Sequence, residues 1–236
     1  KVFEQTYTRF LDLKEAEAQA REAQIELGLE RVRARAMAMQ NSGELNDLVA
    51  ILFEELTRLD LILARCIIWI FDIDTLSARL WMANSEDKKA AESYYIKSLQ
   101  HSYYESIIRG WKERNPKWVY DLKGDEKKTI DQLLLNETEL SRLPEAVKNG
   151  ILNSEHTIVS GSFNNFGLLE ASGPVELSEE QMDIVSRFAK VFDLTYTRFN
   201  DLKQAEAQAR EAKIEAALER VRSRAMAMHK SDDLKM

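Results

Sequence analysis

The sequence predicts an α+β protein, with helices on both faces of an antiparallel β-sheet and a long coiled-coil helix at each end. Three observations support this class. Five short segments have the β-branched and aromatic composition of strands, and most are joined by hairpin-length turns. Neither glycine nor proline occurs between Pro174 and Met236, so one very long helix is expected there. A 44-residue segment also occurs twice without gaps, at residues 2–45 and 191–234, and 32 of its positions are identical.

Composition and charge argue against several classes of function. The net charge of −7 provides no basic footprint, so no nucleic-acid binding is expected. The one cysteine, Cys66, rules out an internal disulfide framework and fits a reducing cytoplasm. No run of 18 apolar residues is present, so no membrane contact is expected. Because the chain starts within a helical pattern at Lys1, we expect it to be a piece of a longer polypeptide.

Residues 1–41 are predicted to form a coiled-coil linker helix. Apolar residues recur along it at steps of three and four, the spacing typical of coiled coils. One stripe contains Leu13, Ala16, Ala20, Ala23, Leu27, Ala34 and Met37. A second stripe beside it contains Ile25, Leu29, Val32, Ala36 and Met39. Glu30 interrupts the first stripe at a core-type position, where a charge can fix the register of a dimer. In the alternative interpretation, Glu30 only borders a solvated helix surface.

Residues 42–190 are predicted to form the compact domain, which begins with a helix capped by Ser42. The next segment, 64–72, is apolar on both alternating faces, as in a strand covered on both sides. Residues 77–83 are predicted to be its hairpin partner. Apolar residues at helical spacing then predict a helix within 86–114.

The second half of the domain is predicted to contain a strand at 118–120 and two short helices within 124–150. Strands follow at 155–163 and 166–171. A tight two-residue hairpin is predicted at Asn164-Asn165 between them, because asparagine tolerates a positive φ. Ser178-Glu-Glu-Gln181 is a capping box, which predicts the start of the long final helix.

Residues 43–190 resemble a GAF domain. The resemblance is carried by Phe166-Gly-Leu-Leu-Glu-Ala-Ser-Gly and by the stretch from Val175 to Ala189, which contains Leu-Ser-Glu-Glu. These segments are similar to the closing strand of that family and to the start of its last helix. The resemblance implies a GAF/PAS-like sensor fold that often holds a small-molecule ligand between the sheet and the helices that follow the second strand.

The repeated segment resembles the signalling helices of bacterial receptors. Glu30-Arg31-Val32 and Glu219-Arg220-Val221 each match two positions of the Glu-Arg-Thr sequence that marks those helices. The resemblance implies a linker at 1–41, a sensor domain at 42–190, and a second linker at 191–236. Residues 226–234 copy the entry into the domain at 37–45, so we expect another GAF-like domain beyond Met236. The resemblance further implies a cytoplasmic, parallel homodimeric signalling module of a bacterial two-component protein, with a histidine kinase as the expected type.

Two other functions remain possible at this stage. The domain could be a purely structural dimerisation spacer that binds nothing, or a small-molecule redox enzyme of GAF-like fold. The redox chemistry of such enzymes uses reactive cysteines, and a single Cys66 within a predicted buried strand is a poor basis for it. No enzymatic activity is expected of the chain itself.

No catalytic motif accompanies the fold prediction. The sequence contains no phosphate-binding glycine loop, no HExxH and no paired CxxC, and His101, His156 and His229 are scattered. We therefore expect no catalytic residues, no metal and no cofactor. A ligand pocket is the remaining candidate site, and the aromatic residues that could line it are Trp69, Phe71, Trp81, Tyr104, Trp111, Trp118 and Tyr120. In the alternative interpretation, these side chains only fill the core.

Overall fold

The computed structural model describes residues 2–40, 44–84 and 93–233, and it confirms the α+β class. The predicted cap Ser42 lies outside the described residues. The helices are α1 (Val2–Ala38), α2 (Leu45–Arg58), α3 (Ser102–Glu113), α4 (Gly124–Glu137), α5 (Glu145–Asn153) and α6 (Glu179–Asp233), with a 3₁₀ turn at Glu139–Arg142. The strands are β1 (Arg65–Phe71), β2 (Ala78–Asn84), β3 (Ser93–Ile96), β4 (Trp118–Lys123), β5 (His156–Phe163) and β6 (Gly167–Gly173).

The strands form one sheet in the order β3-β2-β1-β6-β5-β4, and every neighbouring pair is antiparallel. Strands β1 and β6 lie at its centre and are covered on both faces. Alternate residues of β1 therefore enter different cores: Cys66 and Ile68 face α1, α2 and α6, whereas Ile67 and Trp69 face α3, α4 and α5. Because both faces of β1 are buried, its sequence contains a continuous apolar run.

The prediction of a helix within 86–114 is wrong at residues 93–101. Residues 85–92 lie outside the described residues, and Ser93–Ile96 forms β3, which pairs with β2. Tyr94 and Ile96 are buried there while Tyr95 is exposed, the two-residue period of a strand. Helix α3 begins only at Ser102, where the His101 side chain accepts a hydrogen bond from the Tyr103 amide.

The turn between β5 and β6 also differs from its prediction. Phe163 pairs with Leu168, and the Asn164 amide donates to the Gly167 carbonyl, so Asn165 and Phe166 form the loop. Neither asparagine has a positive φ. Instead, Asn164 Oδ1 accepts from the amides of residues 166 and 167, at 3.0 and 2.7 Å. An asparagine side chain that accepts backbone amides in this way can shape a turn without left-handed backbone.

The capping box at the start of α6 is confirmed. Ser178 Oγ accepts from the Gln181 amide at 3.2 Å, and Gln181 Oε1 accepts from the Ser178 amide at 3.0 Å. From there α6 continues without a break for 55 residues, which at 1.5 Å per residue is roughly 80 Å. None of the helices in the described ranges combines the length and the apolar character that a bilayer crossing requires.

Helices α1 and α6 lie side by side and run in the same direction. Arg21 is 3.6 Å from Glu180, and the guanidinium of Arg187 bonds Glu22 and Glu26 at 2.7 and 2.5 Å. Contact positions therefore rise together along both helices, which defines a parallel pair. Helix α2 runs antiparallel to α1, because Arg35 bonds Glu44 and Arg21 bonds the Leu59 carbonyl.

Of the two apolar stripes of α1, one is buried and the other is exposed. The second stripe, from Ile25 to Met39, is buried against α2 and α6. The first stripe is exposed along its whole length, including Leu13, Leu27 and Met37. Glu30 is exposed as well and lies 3.4 Å from Arg33. Beyond Leu202, every residue of α6 whose exposure is described lies in solvent.

Candidate functional site

The predicted pocket aromatics do not form one site. Six of the seven lie on the sheet face that α3, α4 and α5 cover, but Trp81 belongs to the core on the opposite face. Phe71 packs on Trp111 with ring centres 4.9 Å apart, and Trp69 lies 6.4 Å from Tyr104. Trp118 and Tyr120 form a second group around Tyr103 and Phe163. Most of these rings are packed against each other.

A cavity of about 60 Å³ lies beside them, between the sheet and α4 and α5. Its volume provides room for a few water molecules or a very small ligand. Of the seven predicted aromatics, only Trp69 lines it. The walls are mainly apolar side chains, contributed by Ile67, Leu80, Met82, Leu122, Ile130, Leu134, Leu135, Leu140, Ile151 and Val159. The polar part of the wall consists of Arg65, Tyr103, Lys127, Asp131, Thr157, Glu170 and Ser172.

Glu170 is the central polar group of this cavity. It lies in the middle of β6 and is only 3% exposed. Its carboxylate accepts from the Trp69 indole at 2.7 Å, from Ser172 Oγ at 2.5 Å and from the Tyr103 hydroxyl at 3.5 Å. Burial raises the pKa of Glu170, while these donors and the nearby Arg65 act in the opposite direction. The group is thus held in a fixed position by donors from β1, β6 and α3.

A second buried pair is contributed by α4. Lys127 Nζ donates to Asp131 at 2.5 Å and to the Ile151 carbonyl at 2.8 Å. The four-residue spacing places both side chains on the same helix face, which points at the sheet. Burial raises the pKa of Asp131, and the Lys127 ammonium opposes that shift. The pair ties α4 to α5 at one side of the cavity.

Arg65 supplies the remaining charge at the site. It is half-buried at the start of β1, and its positive charge stabilises the ionised forms of Glu170 and Asp131. Among the residues that the structure describes, its guanidinium makes no hydrogen bond. Five N–H donors in a planar fork suit a carboxylate or another planar anion. Arg65 therefore has free donors with which to bind a ligand in this cavity.

The sequence analysis missed all of these charged residues. Arg65 and Glu170 lie within apolar strand sequences, where a single charge is easily assigned to a solvated face. The signal that could have revealed Glu170 is its position in a central strand whose neighbours Leu169 and Ala171 are apolar. In a sheet that is covered on both faces, a charged residue at such a position has to be buried.

The signal positions of the two linkers lie in different surroundings. Arg31 bonds the buried carboxylate of Glu55 at 2.8 Å, and thereby ties α1 to α2. Its counterpart Arg220 is exposed and bonds the Ala216 carbonyl of its own helix at 3.1 Å. Glu219 is exposed and lies 3.9 Å from Arg222. The arginine of the pair thus contacts the domain in the first copy and only its own helix in the second, whereas the glutamate is exposed in both copies.

The cysteine and histidine side chains that the structure describes lie apart from this cavity. Cys66 is fully buried, and burial raises the pKa of its thiol. His156 bonds Asp121 at 2.6 Å on the surface, and His101 serves as the cap of α3. Within the described part of the chain, no group of three or more histidine, cysteine or acidic side chains is arranged to hold a metal ion.

Comparison with solved structures shows a structural likeness. No family model matches the chain, and no curated protein matches it. The chain is similar to a solved structure described as the phycoerythrobilin-bound GAF domain from a cyanobacterial phytochrome, with a TM-score of 0.43 and 13% identity. The match covers 75% of this chain and 96% of that chain. Phycoerythrobilin belongs to that protein, and no ligand is carried over from it.

Proposed function

We propose that the chain is a sensory or regulatory module of the GAF type, which binds a small molecule and passes its state to the long helices. The observation that carries this proposal is the double-sided sheet, with the charged cavity on one face and α1, α2 and α6 on the other. The sequence resemblance at residues 166–189 supports the same class.

The centre of the sheet provides the physical connection. Glu170 faces the cavity, and its chain neighbours Leu169 and Ala171 pack against the helices on the other face. Trp69 and Ile68 of β1 are divided in the same way. A ligand that repositions Glu170 or Trp69 must therefore shift residues in direct contact with the helix layer, because protein interiors are close-packed.

We also propose that the module works as a parallel homodimer in the cytoplasm. The exposed stripe with Leu13, Leu27 and Met37 has coiled-coil spacing, and a long isolated helix gains most of its stability by burying such a stripe. The signalling-helix resemblance favours a bacterial signal-transduction protein of the histidine kinase type, in which α6 connects this module to the output domain of the same polypeptide.

The connection can be tested by changing the cavity alone. Val159→Leu adds volume at the cavity wall and mimics occupancy, whereas Val159→Ala at the same position enlarges the cavity. We expect the two substitutions to shift amide hydrogen exchange in opposite directions at residues 21–38 of α1 and 179–199 of α6. Changes confined to α4, α5 and the strands would contradict the relay and would favour a structural spacer.

A further inference from the structure

The two copies of the repeated segment bury different halves: the first copy buries its second half, and the second copy buries its first half. In the first copy, Leu29 and Val32 are 2% and 0% exposed, whereas their counterparts Leu218 and Val221 are 51% and 64% exposed. The opposite holds nearer the start of the segment. Phe3 is 81% exposed, but its counterpart Phe192 is fully buried. In this chain, the half of the segment that is buried in one copy is therefore exposed in the other.

The second half of the segment carries a complete set of domain contacts. In the first copy, Ile25, Leu29, Val32, Ala36 and Met39 enter the core, and Arg21, Glu22, Glu26, Arg31 and Arg35 make ion pairs or hydrogen bonds with α2 or α6. All ten are repeated in the second copy, where they are Ile214, Leu218, Val221, Ala225, Met228, Arg210, Glu211, Glu215, Arg220 and Arg224.

Only one of the differences between the copies falls on that contacting face. Of the 19 positions from 21 to 39, only four differ from their counterparts, and Gln24, Leu27 and Ala34 among them are exposed in the first copy. The fourth is Gly28, which is replaced by Ala217. A Cβ at Gly28 would lie 3.3 Å from both Glu55 Oε2 and the Phe188 ring.

The first half of the segment shows the same relation in reverse. In the second copy, Phe192, Tyr196 and Phe199 form a stacked row, and Tyr196 lies 4.8 Å from Phe166 at the β5–β6 turn. The equivalent row in the first copy is Phe3, Tyr7 and Phe10. All three are at least half exposed, with Phe3 stacked on Tyr7.

We infer that each copy is a two-sided docking segment between successive domains of this same fold. Its first half packs on the sheet of the domain before it, and its second half fills the groove between the counterparts of α2 and α6 in the domain after it. The exposed face from Ile214 to Ala225 is thus the docking surface for a second domain of this kind. That domain needs an acidic residue to pair with Arg220, in the way that Glu55 pairs with Arg31. It also needs slightly more space beside Ala217 than this domain has beside Gly28.

The experiment compares the chain with an extended chain in which residues 41–236 follow again directly after His229. This junction keeps the repeat register, because His229 is the counterpart of Gln40. Leu218→Cys is introduced into both chains, and in the extended chain only into the segment before the junction. The rate at which a maleimide labels this thiol is then measured. A buried thiol reacts only when its surroundings open, so we expect labelling to slow about tenfold or more in the extended chain.

Controls make the result specific. Ala216→Cys, on the other stripe, should be labelled at the same rate in both chains. Ala217→Gly removes the extra methyl group that would crowd an unmodified copy of the groove, so it should increase the protection of the Leu218→Cys thiol. The buried Cys66 of the added copy reports whether that domain has folded.

Three results would overturn the inference. The first is an equal labelling rate of the Leu218→Cys thiol in both chains with either residue at position 217. The second is a reactive Cys66 in the added copy even with Ala217→Gly, because the segment would then fail to act as a first helix. The third is concentration-dependent protection in the unextended chain, which would assign this face to contacts between copies.

Discussion

At the residue scale, the buried carboxylate of Glu170 predicts a pH effect on stability. Its pKa is raised in the folded protein, so folded chains keep this proton over a range in which unfolded chains have lost it. The contribution of Glu170 to the free energy of unfolding therefore falls as pH rises from the ordinary glutamate pKa to the raised folded value. Glu170→Gln cannot titrate. Its amide oxygen can still accept from the Trp69 indole, and its amide nitrogen can donate to Ser172 Oγ.

Urea unfolding over a pH series measures this effect. The stability of the original chain relative to Glu170→Gln should decline across that pH window. The exposed Glu113→Gln serves as the control and should show no such trend. A stability difference between the original chain and Glu170→Gln that stays constant with pH would mean that Glu170 is not penalised by burial in the folded state.

Cys66 provides a second prediction at this scale. Its thiol is buried in the centre of the sheet and kept protonated, and thiolate is the reactive form. We expect the folded chain to resist alkylation at neutral pH and to react fully in denaturant, as followed by mass spectrometry. Rapid labelling of the folded chain would reopen the redox-enzyme alternative.

Residues that follow a regular pattern were predictable, and the charged cavity residues were not. The capping box of Ser178 and the doubly apolar β1 express local rules, so the sequence alone identified them. Glu170 and Arg65 lie in the cavity because β1 pairs with β6, a contact between residues about 100 positions apart. Trp81 was named as a candidate pocket residue but faces the opposite core, because the packing on each side of a strand is set by contacts that the local sequence does not reveal.

At the element scale, the exposed stripe of α1 predicts where two chains meet. Leu27→Asp and the equivalent Ala216→Asp place a carboxylate in the proposed seam, where it would be buried without a partner. We expect each to weaken self-association at least about tenfold, a change of about 1.4 kcal/mol. Lys14→Ala, at an exposed position, should have a much smaller effect.

Sedimentation of the three variants over a concentration series supplies the dissociation constants. Thermal unfolding of the dilute chains should be similar for all three, because Leu27 and Ala216 are exposed in the single chain. Equal dissociation constants would show that the seam lies elsewhere, with the α6 counterparts of the second α1 stripe, such as Ile214 and Leu218, as the next place to examine.

At the scale of the whole molecule, the exposed stripe with coiled-coil spacing predicts that two chains form a parallel dimer in solution. Light scattering at micromolar concentration should give about twice the chain mass of 27.2 kDa. Spin labels at Lys14 of the two chains should then be close together, because equivalent residues face each other in a parallel coiled coil. A strict monomer would remove the basis for relay through a shared seam, and distant labels would indicate an antiparallel pair.

The polypeptide enters the domain on α1 and leaves it on α6 while travelling in the same direction. A recombination event between the two copies of the repeated segment would therefore delete or add one entire domain without reversing the path of the chain. Because 32 of the 44 positions agree, the hybrid segment would still carry both contact faces. Proteins built in this way can lengthen or shorten by whole units during evolution, and each product keeps its two ends pointing as before.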